Sequence, residues 1–162
     1  MTRHIRKVAV LGSGVMGSSI AAHLANAGIP SLLLDIVPQE LTEAEKAQGL
    51  TLNDEAVRNR FSTLAIHKLS KQKPAPLSSA ERKAYIEAGN LEDDLERLKE
   101  VDWIIEVVVE NLAIKRQLLE KVDAFRRPKT IVSSNTSGVS IDAMARDRSA
   151  DFRAHFLGTH FF

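Results

Sequence analysis

The segment 7–35 constrains the fold of this chain more than any other, because its elements follow one another in a diagnostic order. The apolar run Val8–Leu11 is typical of a buried parallel strand. It leads directly into the glycine-rich sequence Gly12-Ser13-Gly14-Val15-Met16-Gly17. A strand that enters a G-x-G-x-x-G turn and continues as a helix is the pattern of a dinucleotide-binding unit.

The elements after Gly17 complete this pattern. A helical spacing of apolar residues predicts one buried face, made of Ile20, Ala21, Leu24 and Ala27. Gly28 and Pro30 are typical of a helix end. A second apolar run, Leu32–Leu34, then ends at Asp35, as expected for a second parallel strand with an acid at its carboxyl end.

Each glycine has a distinct predicted role. Gly12 permits the tight turn from strand to helix, Gly14 lets the backbone approach a pyrophosphate, and Gly17 lets the helix lie close to the strand. Free N–H groups at the helix start, including those of Val15 and Met16, are expected to hold the phosphate charge with the helix dipole.

Asp35 is predicted to select the cofactor. Its carboxylate can accept hydrogen bonds from both ribose hydroxyls of adenosine, but it would repel a ribose 2′-phosphate. The next residue is Ile36 rather than an arginine, so the sequence favours NAD over NADP.

Composition narrows the functional classes further. The 162 residues suffice for one domain with a real core, and 22 basic against 21 acidic residues indicate neither a nucleic-acid partner nor an acidic membrane. With no cysteine there are no disulfides, thiolate metal sites or cysteine nucleophiles, and no metal is expected. No apolar run has transmembrane length, the first residues do not read as a signal peptide, and a cytoplasmic protein is expected.

A long segment separates the second and third predicted strands. After the polar stretch 37–54, the spacing of Val57, Phe61, Leu64, Ala65 and Leu69 predicts an amphipathic helix over 56–70. Pro74 and Pro76 predict a stiff turn, and Ser78-Ser79-Ala80-Glu81 a capping box for another short helix. A third strand is expected over 85–88, closed by Gly89-Asn90. The sequence therefore predicts a helical hairpin insertion at about 54–84.

The remainder alternates between helical and strand patterns. Strands are predicted at 103–109, 131–134 and 155–162, and helices at 95–100, 114–125 and 141–145, the last capped by Ser140. Such alternation requires a parallel sheet with helices on both faces. The predicted fold class is α/β, a Rossmann-type doubly wound and mostly parallel sheet.

In such sheets ligands bind beyond the carboxyl ends of the strands. Polar residues expected there are Glu110, Asn111, Asn135, Thr136, Ser137 and His160. His160 is the candidate catalytic base, because a neutral imidazole can take a proton near pH 7; the alternative is a histidine packed within a phenylalanine-rich strand. The other histidines, His4, His23, His67 and His155, are interpreted as structural or surface residues.

Three further features have two interpretations each. Ser137 could hydrogen-bond a substrate oxygen or stabilise a turn, and Glu110 could meet the cofactor or cap the following helix. The basic run 67–73 could receive phosphates of an anionic substrate, or form a solvated helix end.

Several motifs together resemble one family, the NAD-dependent L-3-hydroxyacyl-CoA dehydrogenases of fatty-acid β-oxidation. The resemblance covers essentially the whole chain and rests on VAVLGSGVMGSSIAAHLANAGI, WIIEVVVENLAIKRQLL, IVSSNTSGVSI and HFLGTHFF. The sequence KPAPLSSAERKAYIEAGNLEDDLERL is closest to the long bacterial type.

The resemblance implies residue roles and partners. It places Gly12, Gly14 and Gly17 at the pyrophosphate, Asp35 at the adenosine ribose, and Glu110 and Lys115 at the nicotinamide side. It implies that Ser137 contacts the substrate 3-oxygen and the nicotinamide, and that His160 removes the 3-hydroxyl proton. Within the insertion, Ser62 and Lys68 would contact the coenzyme A of an acyl-CoA substrate.

The family also uses a glutamate, an asparagine and a helical C-terminal domain that would all lie beyond Phe162. We therefore expect an excised N-terminal domain that binds NAD, catalyses poorly alone and self-associates through the surface left exposed. Two alternatives stay open: a sibling dehydrogenase acting on a free hydroxy acid or a sugar acid such as L-gulonate, and a non-catalytic NAD-sensing module.

Overall fold

A computed structural model describes residues 4–161 and has one parallel six-stranded sheet at its centre. The strands are β1 (Val8–Leu11), β2 (Ser31–Asp35), β3 (Ile86–Asn90), β4 (Trp103–Glu106), β5 (Ile131–Ser134) and β6 (Phe156–Gly158). Their order in the sheet is β3-β2-β1-β4-β5-β6, and every neighbouring pair is parallel. Helices cover both faces, so the predicted doubly wound Rossmann-type class is confirmed. No helix between residues 4 and 161 is long and apolar enough to cross a membrane.

The first unit matches the pattern read from the sequence, with two adjustments. Strand β1 spans Val8–Leu11, helix α1 spans Val15–Asn26 and strand β2 spans Ser31–Asp35. The helix begins two residues before Gly17, which therefore lies in its first turn. Ala27 was expected on the buried face, and this is wrong, because it is the exposed C-cap and Ala25 is buried instead.

Between β2 and β3 the chain forms a helical insertion that begins earlier than predicted. Helix α2, Glu43–Ala47, lies in the polar stretch 37–54, where no helix was predicted, and a capping box between Thr42 and Glu45 starts it. The single helix expected over 56–70 is two, α3 (Glu55–Arg58) and α4 (Arg60–Leu69).

The break between α3 and α4 has a tertiary cause. It falls at Asn59, whose side-chain oxygen accepts a hydrogen bond from Asn90 Nδ2 at 2.7 Å. Phe61 and Leu64, expected on the buried face, are exposed, whereas Ala65 and Leu69 are buried. The amphipathic interpretation is therefore only partly correct.

The insertion ends in a 3-10 helix, Ala80–Tyr85, for which Ser79 is the N-cap without a side-chain cap hydrogen bond. The capping box expected from Ser78 is therefore wrong. Strand β3 spans Ile86–Asn90, so Gly89 and Asn90 belong to the strand rather than closing it. A Cβ at Gly89 would lie 2.5 Å from Asp94 Oδ2 and 2.7 Å from Leu34 Cδ2, which explains a glycine inside this strand.

The second half follows the predicted alternation. Its elements are a 3-10 helix (Leu95–Glu100), β4 (Trp103–Glu106), α5 (Leu112–Phe125), β5 (Ile131–Ser134), α6 (Ile141–Ala145), α7 (Ala150–Ala154) and β6 (Phe156–Gly158). The predicted cap Ser140 accepts a hydrogen bond from Ala143 N. Strand β4 ends three residues before the predicted Val109, helix α7 was not predicted, and β6 is shorter than the strand expected over 155–162. Phe162 lies outside the described residues.

Two apolar layers hold the helices against the sheet. One contains Leu32, Ile104, Leu119, Val132 and Phe152, and the other contains Val10, Ile20, Leu33, Leu69 and Ile105. Because successive residues of a strand point to opposite faces, a central strand buried on both faces is apolar throughout. With both faces covered along the central strands, the carboxyl edge of the sheet remains as the place for a crevice.

Candidate functional site

The glycine-rich turn after β1 is shaped by two close backbone contacts. Gly12 has φ +108°, and a Cβ there would lie 2.7 Å from the carbonyl oxygen of Val107 on the neighbouring strand segment. A Cβ at Gly17 would lie 1.8 Å from the carbonyl oxygen of Gly12, so α1 can start directly over the turn only with glycine at this position. These two glycines are therefore required by the fold itself.

Gly14 is different, because the fold gives no reason for a glycine there. A Cβ at this position would meet nothing within 4 Å among the described residues. Gly14 is the N-cap of α1; no side-chain cap hydrogen bond is present, and the first turn holds no acidic residue. A helix start with free N–H groups and no Cβ in front of it is suited to an anion such as a pyrophosphate.

Asp35 lies at the carboxyl end of β2, beside this turn. Its Oδ2 accepts hydrogen bonds from the backbone N–H of Ser13 at 2.7 Å and from the Ser13 hydroxyl, and its Oδ1 accepts one from Ile36 N at 2.7 Å. The carboxylate is therefore held in place by the turn that it faces. A carboxylate has acceptor capacity beyond these bonds, so it can also receive ribose hydroxyls.

A cavity of about 440 Å³ opens in front of Asp35. Its walls are the glycine-rich turn on one side and the exposed face of α4 on the other, including Gly14, Val15, Ile36, Phe61, Leu64 and Lys68. Phe61 and Leu64 line this cavity, which explains why they are exposed and not packed in the core. An apolar cleft with one fixed carboxylate fits the adenosine part of a dinucleotide.

The two insertion residues that the resemblance singled out lie in different surroundings. Lys68 is exposed in the last turn of α4 and lines this cavity. Ser62 is 1% exposed, and its hydroxyl donates to the carbonyl oxygens of Asn59 and Gly89, both at 2.9 Å. Ser62 therefore ties α4 to β3, whereas the Lys68 side chain is exposed at the cavity; contact of either residue with coenzyme A stays a prediction.

The largest departure from the sequence-based expectation is a buried carboxylate at the end of β4. Glu106 is 0% exposed and receives Lys115 Nζ at 2.7 and 3.0 Å, Val108 N at 2.7 Å and the Ser134 hydroxyl. Glu106 was not a candidate from the sequence. The available signal was a single acid inside the apolar run 103–109.

Lys115 was expected to line the nicotinamide side, and the structure places its side chain beneath Glu110, away from the surface of the site. It is 1% exposed, and its ammonium lies between Glu106 and Glu110, whose Oε2 is 3.3 Å away. Lys115 therefore reaches the surface of the site only through Glu110.

Glu110 lies in the segment after β4, and its side chain contacts the loop after β5. Its Oε1 accepts from the Thr136 hydroxyl, from Gly138 N at 2.9 Å and from Ser137 N at 3.0 Å. These hydrogen bonds, that of Thr136 foremost, together with Lys115, lower the pKa of Glu110 to about 2. The helix-cap interpretation of Glu110 is wrong, because Asn111 caps α5 by accepting from Ile114 N.

The loop after β5 carries two further candidates. Ser137 is exposed, and no hydrogen bond to its hydroxyl is present within residues 4–161, while its backbone is fixed by Glu110. Asn135 has its Oδ1 occupied by the backbone N–H of Phe161 at 2.8 Å. Asn135 thus joins this loop to the segment that carries His160.

His160 is exposed and lies two residues beyond β6. The residues on both sides of it are anchored, since Thr159 N donates to Ser134 O of β5 at 3.0 Å and Phe161 N donates to Asn135 Oδ1 in the loop after β5. His155 does not start a strand as expected; it is the C-cap of α7, with its Nδ1 2.8 Å from Asp151 O. The carboxyl edge therefore presents His160, Ser137 and Glu110 from three neighbouring strand ends.

The order of the strands in the sheet brings the glycine-rich turn and Asp35 to the same edge as Glu110, Ser137 and His160. Strand β1 lies between β2, which carries Asp35, and β4, which leads to Glu110. A dinucleotide with its pyrophosphate at the start of α1 would extend over β2 in one direction and over β4 and β5 in the other. The arrangement can bind such a molecule and place a base and a hydrogen-bond donor at one end of it.

Comparisons with known proteins agree with this geometry. The family model for the NAD-binding domain of 3-hydroxyacyl-CoA dehydrogenase matches residues 7–162. A probable 3-hydroxyacyl-CoA dehydrogenase of Bacillus subtilis is 65% identical over 162 residues, which are 100% of this chain and 20% of that protein. A protein of the same description from Deinococcus radiodurans is 44% identical over 158 residues, covering 98% of this chain and 42% of its own length.

Solved structures show the same relationship. The 3-hydroxybutyryl-CoA dehydrogenase of Escherichia coli K12 superposes with a TM-score of 0.74 at 26% identity, covering 99% of this chain and 30% of its own. The (S)-3-hydroxybutyryl-CoA dehydrogenase of Ralstonia eutropha gives 0.71 at 26% identity, with 98% and 50% covered. The chain thus spans half or less of the length of these similar proteins.

Proposed function

Because this chain belongs to the family of NAD-binding domains of 3-hydroxyacyl-CoA dehydrogenases, we propose that it forms the cofactor half and supplies the catalytic base of such an enzyme. The reaction is the oxidation of (S)-3-hydroxyacyl-CoA to 3-oxoacyl-CoA in fatty-acid β-oxidation. One observation carries the proposal: the exposed His160, anchored on both sides, lies at the same sheet edge as the uncapped start of α1.

NAD is the cofactor of this family of domains, and the residues present fit it. The backbone N–H groups of Val15, Met16 and Gly17 would hold the pyrophosphate over Gly14, where no Cβ intervenes. Asp35 would take the adenosine ribose hydroxyls. At the other end, Glu110 and the loop 135–138 would face the nicotinamide, with Lys115 acting through Glu110.

The proposed chemistry assigns one proton and one hydride. Bound NAD would supply the acceptor for the hydride of C3 of the substrate. His160 takes the proton of the 3-hydroxyl, which leaves the oxygen free to become the carbonyl oxygen of the product. The Ser137 hydroxyl, exposed and with its backbone fixed, donates a hydrogen bond to that oxygen.

Partners of the domain are part of the proposal. The relatives are longer than this chain, which supports a further C-terminal domain that completes the acyl-CoA cleft. We also propose that Lys68 meets a phosphate of the CoA moiety, which the exposure of its side chain supports. Self-association stays a prediction, and the lack of cysteine supports a cytoplasmic location.

Two experiments test the proposal. Calorimetric titration of this chain should give saturable NAD binding, weaker NADP binding, and weaker NAD binding after Asp35→Ala. In the protein that carries this domain, His160→Ala should lower kcat on (S)-3-hydroxybutyryl-CoA by a factor of roughly 10²–10⁴. His4→Ala is the matched control, because His4 is an exposed histidine before β1, and it should leave kcat unchanged.

The outcomes separate the competing functions. Turnover of a free hydroxy acid or of L-gulonate, without turnover of the CoA ester, would identify a sibling dehydrogenase. NAD binding with wild-type turnover after His160→Ala would contradict the assigned base, and NAD binding without any turnover would favour a non-catalytic NAD-sensing module.

A further inference from the structure

One hydrogen-bonded group close to His160 connects β4, β5 and the residue that follows β6. Trp103 Nε1, on β4, donates to the hydroxyl oxygen of Ser133, on β5, at 2.9 Å. The Thr159 hydroxyl, immediately before His160, donates to the same oxygen at 2.9 Å. A serine oxygen has two lone pairs and can accept both donors, so Ser133 connects the tryptophan to the residue before His160.

A second contact connects the same tryptophan to the residue after His160. The rings of Trp103 and Phe161 are 6.4 Å apart between centroids and tilted by 31°. Both side chains pack on the apolar layer that includes Val10 and Ile105. The ring of Phe161 is therefore fixed from the side of the sheet, while its backbone N–H is fixed by Asn135.

The burial of Ser133 and the shortness of β6 make the contacts of this hydrogen-bonded group important for the position of the chain at His160. Ser133 is 0% exposed, so its hydroxyl oxygen has no water to replace a donor that is lost. Strand β6 has only three residues and lies at the edge of the sheet, paired on one side with β5. A short edge strand has few ladder hydrogen bonds, so side-chain anchors contribute much of what fixes the chain that follows it.

We propose that Trp103 is a positioning residue for His160, acting through Ser133 on Thr159 and through ring contact on Phe161. This inference rests on the proposed function, in which His160 is the base. Trp103 is not among the residues that line the cavity beside Asp35 and the glycine-rich turn. Its removal should therefore affect the placement of the imidazole and not the binding of NAD.

Conservative variants isolate the hydrogen bonds from the packing. Trp103→Phe keeps an aromatic ring against Phe161 but removes the N–H donor, and Thr159→Val keeps the volume but removes the hydroxyl. Thr130→Val is the matched control, because it makes the same chemical change at the amino end of β5, outside this group. Thermal unfolding of each variant shows which ones are folded under assay conditions.

Turnover and spectroscopy give independent readouts. In the protein that carries this domain, we expect Trp103→Phe and Thr159→Val each to lower kcat by about tenfold while the Kd for NAD stays unchanged. The double variant should be little worse than either single one, because both act through Ser133. In this chain, the ring signals of ¹³C-labelled His160 should broaden or double in both variants and stay sharp in Thr130→Val.

The outcomes are distinguishable. Wild-type turnover by His160→Ala would overturn the proposed function and remove the premise of this inference. An inactive His160→Ala, together with folded Trp103→Phe and Thr159→Val variants that keep kcat within twofold and sharp His160 signals, would overturn this inference alone. Lowered stability with unchanged kcat and sharp signals would show a purely structural group and would also overturn it.

Discussion

The two halves of the candidate site are built in different ways. The adenosine half, from β1 to Asp35, is contiguous in sequence and made largely of backbone, with two glycines forced by close contacts. The other half joins residues from three strand ends, Glu106 to His160, through side chains and a buried ammonium. A site of the first kind can be read locally, whereas a site of the second kind exists only after the sheet has formed.

The comparison predicts that the two halves fail in different ways. Substitutions in the adenosine half should either clash with the glycine-rich turn or weaken NAD binding directly. Damage to the second half should act through unpaired buried charge and through the placement of catalytic groups. The expected effects below run from the largest to the smallest.

Lys115→Met should produce the largest loss of stability. It leaves Glu106, 0% exposed, without its ammonium, and breaking a buried ion pair on one side costs about 3–5 kcal/mol. Urea unfolding measures the loss. Adding Glu106→Gln to Lys115→Met removes the uncompensated charge and should recover part of the lost free energy of unfolding. No recovery would contradict the Glu106–Lys115 ion pair as the source of the loss.

Gly17→Ala should produce the second-largest loss of stability, through a steric clash in the adenosine half of the site. Its Cβ would lie 1.8 Å from the carbonyl oxygen of Gly12, so the turn or α1 must shift at a cost of about 3 kcal/mol. The same unfolding experiment applies. Gly14→Ala is the matched control, because its Cβ meets nothing within 4 Å among residues 4–161, and it should cost no more than about 1 kcal/mol.

Gly14→Ala also tests the binding half directly. We expect its Kd for NAD to rise by about tenfold or more despite near-normal stability, because the new Cβ occupies the approach of the pyrophosphate. Calorimetry on the folded variant measures this. Unchanged NAD affinity would show that the open space at Gly14 is not the phosphate cradle.

Asp35→Ala should weaken NAD binding by roughly tenfold to a hundredfold, the range for lost hydrogen bonds to a charged group. It also removes the repulsion of a ribose 2′-phosphate, so the preference for NAD over NADP should shrink. Parallel titrations with both cofactors measure the change. A preference unaffected by the substitution would place the ribose elsewhere.

The smallest effect is the pH dependence that comes from Glu110. Its pKa of about 2 in the folded chain lies below the ordinary value of 4.5, so its contribution to stability is present above about pH 4.5 and is lost as the pH falls toward 2. Because this side chain is 43% exposed, solvent screening reduces the contribution to about 1 kcal/mol. Glu110→Gln should therefore be less stable than the parent at pH 7 and equal to it near pH 2; a constant difference would exclude ionisation as its source.

The fold was largely predictable because its signals are local. The sequence patterns placed β1 and β5 at their observed bounds and β2, β3 and β4 to within three residues. The expected helix over 56–70 divides at Asn59, which bonds to Asn90 on β3, a contact that no local pattern contains. The exposed Phe61 and Leu64 follow a helical spacing but face a cavity, since periodicity does not distinguish a core from a binding surface.

The sequence alone predicted the dinucleotide unit and its acid at Asp35, because spacing within one strand and turn defines them. It named His160 as the candidate base through the resemblance to a family. Only the tertiary structure decided that Ser62 is buried, that Glu106 and Lys115 lie beneath Glu110, and that Trp103 is connected to both neighbours of His160. Those contacts join residues on different strands. They depend on sheet order and register, which are set by packing the whole core and not by any single segment.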